Sequence, residues 1–175
     1  MGMSVGMAVL SSLALSASAL CRETEDQLLQ RIQNEPNPVK KAKDEIKLSS
    51  LRFIQIRDDY TDGRTDSGAK LLGTFMGDMK NSWKLLQDSG RKAWKQPEGF
   101  RELEISLRED VRLLQDLARS VSYFDRGPLL NAAEQLDHMR DDVLRAQFPG
   151  GNPKTIKNAT APPPTQGSGG ISDQQ

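Results

Sequence analysis

One cysteine and one histidine occur in 175 residues. A single cysteine excludes a disulfide framework within the chain, and the two residues together exclude the usual four-ligand Cys/His zinc site. One histidine would also have to serve every Ser-His-Asp or Cys-His scheme, which leaves little room for nucleophilic catalysis. An excess of one charge is missing too. Lys plus Arg number 24 and Asp plus Glu number 24, so no broad positive field points to nucleic acid. There is no Gly-rich phosphate loop, no G-x-S-x-G and no H-E-x-x-H, which removes the common phosphate-binding, serine-hydrolase and zincin signatures. Asp58-Asp59-Tyr60-Thr61-Asp62-Gly63 has the acids of a calcium loop, but Ala69 and Lys70 stand where the closing carboxylate is required. It reads as a turn.

What is present is helical periodicity. Between Pro97 and Tyr123, Phe100, Leu103, Leu107, Val111, Leu114, Leu117, Ala118 and Val121 share one face of a 3.6-residue wheel. That stripe is wide enough for a bundle core. The outer face carries an arginine stripe beside an acidic one. Asp110 falls inside the apolar arc, where a carboxylate must find a partner or reach the water's edge.

Three further segments have the same character. Residues 38–60 open on Asn37 as N-cap with Pro38 in the first turn. Val39, Ala42, Ile46, Ser49, Phe53, Ile56 and Tyr60 repeat at three and four. Leu48, Leu51 and Ile54 lie off that stripe, which predicts cover on a second side, by segment 22–33. Residues 67–95, with Asp66 or Ser67 as cap, turn Leu72, Phe75, Met76, Met79, Trp83, Leu86 and Trp94 inward. Gly73 and Gly77 have the spacing of a close helix approach, and Gly90 marks a kink or break. Residues 128–147 turn Leu129, Ala132, Ala133, Leu136, Met139, Val143 and Leu144 inward. Arg140 falls in that arc as well, and an ion pair with Asp110 across the bundle is the expectation. Short connections favour antiparallel neighbours. The expected fold is all-α, an antiparallel up-and-down bundle of about four helices spanning 38–148. A duplicated helical hairpin and chance matching of amphipathic helices both account for the weak similarity of 50–80 to 106–140.

The ends differ in composition. Residues 1–19 are apolar and close on Ala17-Ser18-Ala19, the small-x-small pattern of a signal peptide cleaved after Ala19. The run Val9–Leu20 is shorter than the roughly 20 residues of a spanning helix. Cys21 offers a lipid anchor as an alternative, although Leu20 is larger than that signal prefers; an uncleaved anchor is the third option. Residues 20–37 are polar with a short helix as one reading. Residues 149–175, rich in Pro, Gly, Ser and Gln, read as a disordered tail. Asn158-Ala159-Thr160 matches a glycosylation sequon.

Chemistry-bearing clusters are few. Asp137, His138 and Asp141 on the outer side of the last helix are the candidate metal ligands. A solvated acidic face is the simpler reading, because bundle metal sites draw carboxylates from several helices. No cofactor and no catalytic residue is expected.

The block Asn37-Pro38-Val39-Lys40-Lys41-Ala42-Lys43, with Lys80-Asn81-Ser82-Trp83-Lys84-Leu85-Leu86 and Leu103-Glu104-Ile105-Ser106-Leu107-Arg108-Glu109, resembles a group of uncharacterised exported helical proteins of soil bacteria. The resemblance spans about residues 36–148 and implies export and an all-α fold, with no activity or site residue. The expected function is a non-catalytic interaction or structural module of the cell envelope, periplasmic or secreted, with a protein or envelope component as partner and no nucleic acid. The alternatives are a bundle that binds a small ligand or metal, and an enzyme of unknown type. An interaction module should show an exposed apolar patch, with Leu48, Leu51 or Ile105 the candidates for it.

Overall fold

The computed structural model describes residues 23–150. The expected signal segment, Cys21, the sequon and the tail from 151 onward lie outside the described residues. The described chain is all-α, with helices α1 (Glu25–Asn34), α2 (Pro38–Thr61), α3 (Thr65–Asp88), α4 (Phe100–Ser120) and α5 (Arg126–Gln147). A 3-10 turn, Tyr123–Asp125, leads into α5.

Two antiparallel hairpins, α2 with α3 and α4 with α5, make the bundle. Across the hairpins α2 meets α4 and α3 meets α5. Each of those pairs runs in the same direction. Lys43 near the start of α2 bonds Glu102 near the start of α4, and Tyr60 at the end of α2 feels Asp125 just beyond α4. The apolar stripes close on one another: Phe53 meets Phe75 at 6.1 Å and Trp83 meets Phe100 edge-on at 6.1 Å. Leu103, Leu107, Leu114, Leu129, Leu136 and Val143 have no exposed surface. Burying one such side chain contributes about 1.5–3 kcal/mol.

Local signals explain the boundaries. The Asn37 side chain accepts from the N–H of Val39 and Lys40, which answers two of the four orphan donors of that helix start. α3 ends at Asp88, short of the expected Lys95. Gly90 has φ 69°, a left-handed conformation that a helix cannot continue through. Trp94 therefore leaves the α3 stripe and is 52% exposed, with the Lys95 ammonium 4.6 Å from its ring. α4 begins at Phe100 instead of Pro97 because Gly99 has φ 85°. A Cβ at Gly99 would stand 2.5 Å from Leu86 and 3.1 Å from Val39, so this glycine is the close joint of α2, α3 and α4. The Gly99 N–H donates to Glu102 at 2.7 Å.

Two other expectations are corrected. Gly73 and Gly77 face open space: a Cβ on either would meet nothing within 4 Å. The close approach lies at Gly68, where a Cβ would come within 2.7 Å of the Tyr60 ring. Neither Asp66 nor Ser67 caps α3; the Ser67 hydroxyl donates to Asp59 at 2.7 Å, in a turn that Arg64 also ties to Asp59 and Asp62.

Helix α1 is the fifth helix and lies on α2, outside the main bundle. Thr24 and Gln27 cap its start reciprocally. Leu28 and Ile32 cover Leu48, and Leu29 and Leu51 pack at the edge of that small cluster. Leu48 is 1% exposed, so Leu48 and Leu51 do not form the exposed patch expected of them.

Candidate functional site

Asp110 is the most informative side chain in the structure. Leu103, Leu107, Leu114 and Leu117 of its own helix are buried, and the same wheel carries Asp110 in with them to 4% exposure. It does not meet Arg140. Its Oδ2 accepts from the Ser106 hydroxyl, one turn earlier, at 3.0 Å. Burial pushes the carboxyl up to about 6; the Ser106 hydrogen bond opposes that and the neighbouring Glu109 charge adds to it.

Arg140 has a different partner. Its Nε lies 3.0 Å from Oε1 of Glu104, and its Nη1 lies 3.7 Å from Oδ1 of Asp137. The expected Asp110–Arg140 pair is thus replaced by Glu104–Arg140. Register is the cause: Glu104 precedes Asp110 by six residues, about 9 Å along a helix that rises about 1.5 Å per residue. Asp110 instead faces α2.

There it opens on a groove of about 440 Å³ between α2 and α4. Phe53, Ile54, Leu113 and Leu117 give the groove its apolar surface, and the hydroxyls of Ser50, Thr61, Ser106 and Ser120 line it. Glu109 and Asp116 stand at its edge, with Arg57 the one basic residue lining it among the described residues. Arg57 is held by Asp58 at 3.0 Å and Asp116 by Arg119 at 2.7 Å. The size lies within the range of small-ligand pockets, which run from about 300 to 1,000 Å³.

The candidate metal ligands are not drawn together. His138 Nε2 stands 3.9 Å from Glu134 on the same helix face and is largely exposed. Asp137 turns to Arg140. Among the described residues no three His, Cys, Asp or Glu side chains are grouped to hold an ion.

A buried polar network joins the first three helices. Arg52 of α2 is 7% exposed. Its Nη1 donates to Asp78 of α3, and its Nε donates to Glu25 of α1 at 2.9 Å. One guanidinium thereby ties three helices together. Burial raises the Asp78 carboxyl and the Arg52 charge offsets only part of that. Glu45, 7% exposed on the same face of α2, is raised by burial and then by the Asp78 charge. Asp44 is bonded by Arg31 of α1 at 2.8 Å. The signal was available: Arg52 follows Leu48 by four and Asp78 follows Phe75 by three, the spacing that singled out Asp110.

Among the described residues the most exposed large apolar side chains are aromatic and sit at the ends of the bundle, while Leu113 and Leu130 are 38% and 49% exposed on α4 and α5. Tyr123 and Phe124, on the turn between α4 and α5, are 79% and 90% exposed with their rings edge-to-face at 5.9 Å. At the other end Trp94 and Phe148 flank a shallow recess with Pro97 and Arg101. Ile105 is exposed too, at 36%. Compared with known protein families, curated proteins and solved structures, the chain matches none.

Proposed function

We propose that this chain is a non-catalytic, exported interaction module of the cell envelope, a helical bundle that presents an aromatic turn to a protein partner. The observation that carries the reading is the pair Tyr123 and Phe124. Two adjacent aromatic side chains stand almost wholly in water, on a turn braced by Ser122, whose hydroxyl donates to Asp125 at 2.6 Å. Aromatic residues are enriched in the buried centres of protein interfaces. The interior of the bundle, by contrast, is occupied by its own leucines and methionines. Export rests on the composition of residues 1–19, with release to the periplasm or medium preferred over a lipid anchor at Cys21.

The test is capture from envelope extract by the full chain. Proteins captured by the wild type should be lost, by about tenfold or more, in the double variant Tyr123→Ser, Phe124→Ser while its thermal unfolding is unchanged. Undiminished capture by that variant would overturn the reading. A second reading, a small-ligand bundle, is favoured by the groove at Asp110.

A further inference from the structure

We propose that the groove between α2 and α4 binds a small organic ammonium ion, its nitrogen paired with Asp110 and its apolar body against Phe53 and Leu117. The site stands apart from the aromatic turn and does not rest on it.

Four observations support it. First, Asp110 is a carboxylate more than nine-tenths buried, lining a groove. Its Oδ2 has the Ser106 hydroxyl, whereas Oδ1 takes no hydrogen bond from the described residues. Oδ1 is not among the fully enclosed atoms without a partner, so it meets the groove space. Second, a buried carboxylate with one hydroxyl partner is a poorly satisfied charge. A cation placed against it gains a charge-assisted hydrogen bond and relieves the cost of its burial. Third, the sign of the surroundings selects the ligand. Glu109, Asp110 and Asp116 face the groove from α4. From α2 there is only Arg57, which is tied to Asp58. Anions meet like charge there, which opposes their binding. Fourth, the remaining lining fits a primary ammonium with a short apolar body. Three N–H donors require acceptors, and beside Asp110 the groove offers the Ser50 and Ser106 hydroxyls. The body then lies on Phe53, Ile54, Leu113 and Leu117. A bare divalent ion is a poorer occupant, since it needs several oxygen ligands and, among the described residues, Asp110 alone is a carboxylate buried in the groove.

Phenethylammonium is a suitable probe, with phenylacetate and 2-phenylethanol as its anionic and neutral counterparts. Each is titrated into the isotope-labelled full chain at neutral pH, followed by backbone amide shifts. The amine should give saturable shifts confined to residues 50–61 and 106–120, and the other two should give none there. Asp110→Asn, which keeps the shape and removes the charge, should weaken the amine by about tenfold or more. Acidification to about pH 5, below the carboxyl's folded-state value, should weaken binding to the wild type and leave Asp110→Asn unchanged. The proposal fails if the amine gives no saturable shift in the millimolar range. It fails equally if 2-phenylethanol matches the amine, or if Asp110→Asn binds the amine undiminished.

Discussion

Arg140 of α5 and Glu104 of α4 are joined across the second hairpin at 3.0 Å, with side chains 24% and 14% exposed. Asp110 stands nearly two turns further along α4 and belongs to a different contact. Two charged residues on facing apolar stripes are therefore not partners merely because both are out of place; the register of the hairpin decides.

Double-mutant cycles separate the two pairings. Arg140→Ala with Glu104→Ala should show a coupling of about 1 kcal/mol, as residues in contact do. Arg140→Ala with Asp110→Ala should add to within about 0.5 kcal/mol, as independent sites do. Urea unfolding of the single and double variants measures both. Coupling found in the second cycle and absent from the first would mean that the helices pair in another register.

Asp110 sets a pH dependence. Its carboxyl is raised to about 6 in the folded state, against about 3.9 in an unfolded chain. The native state holds this proton more tightly than the unfolded state does. The resulting stabilisation is present below about pH 4 and is lost as pH rises through about 6, a change on the order of 3 kcal/mol. Asp110→Asn should match the wild type in stability near pH 4 and exceed it near pH 7. Denaturation midpoints measured across that interval give the answer; a constant difference would show that the carboxyl titrates normally.

Arg52 should be costly to remove alone. Arg52→Met leaves Asp78 buried without its cation, and breaking a buried pair from one side costs about 3–5 kcal/mol. Arg52→Met combined with Asp78→Leu should recover most of that loss, because the orphaned charge goes too. The Glu25 contact ends in either case, so exchange of the α1 amides should quicken in both variants. Thermal unfolding combined with hydrogen exchange reads the two effects separately.

Gly99 and Gly90 both have positive φ, yet they differ in surroundings. Gly90→Ala meets nothing within 4 Å and should cost only the left-handed backbone term, about 1–2 kcal/mol. Gly99→Ala adds a clash with Leu86 and Val39, and overpacking contributes about 1–3 kcal/mol more. Equal unfolding midpoints for the two variants would be inconsistent with the tight joint at Gly99.

By itself the sequence determined the helical class, the inward faces of α2 to α5, the Asn37 cap and the weakness at Gly90. These are local properties. An apolar side chain every three or four residues, a capping side chain or a glycine acts within one or two turns of its own position. The sequence also singled out Asp110 as a charge on a buried face. Tertiary structure decided what that charge meets, because contact between helices depends on relative rotation and axial register, and a shift of a few ångströms exchanges one partner for another. It turned Asp110 toward α2 and a groove and gave Arg140 to Glu104. It also drew Arg52, Asp78 and Glu25, far apart in the chain, into one cluster around a buried guanidinium. Helical periodicity reports which side of a helix is inward; only the packed bundle reports what stands opposite.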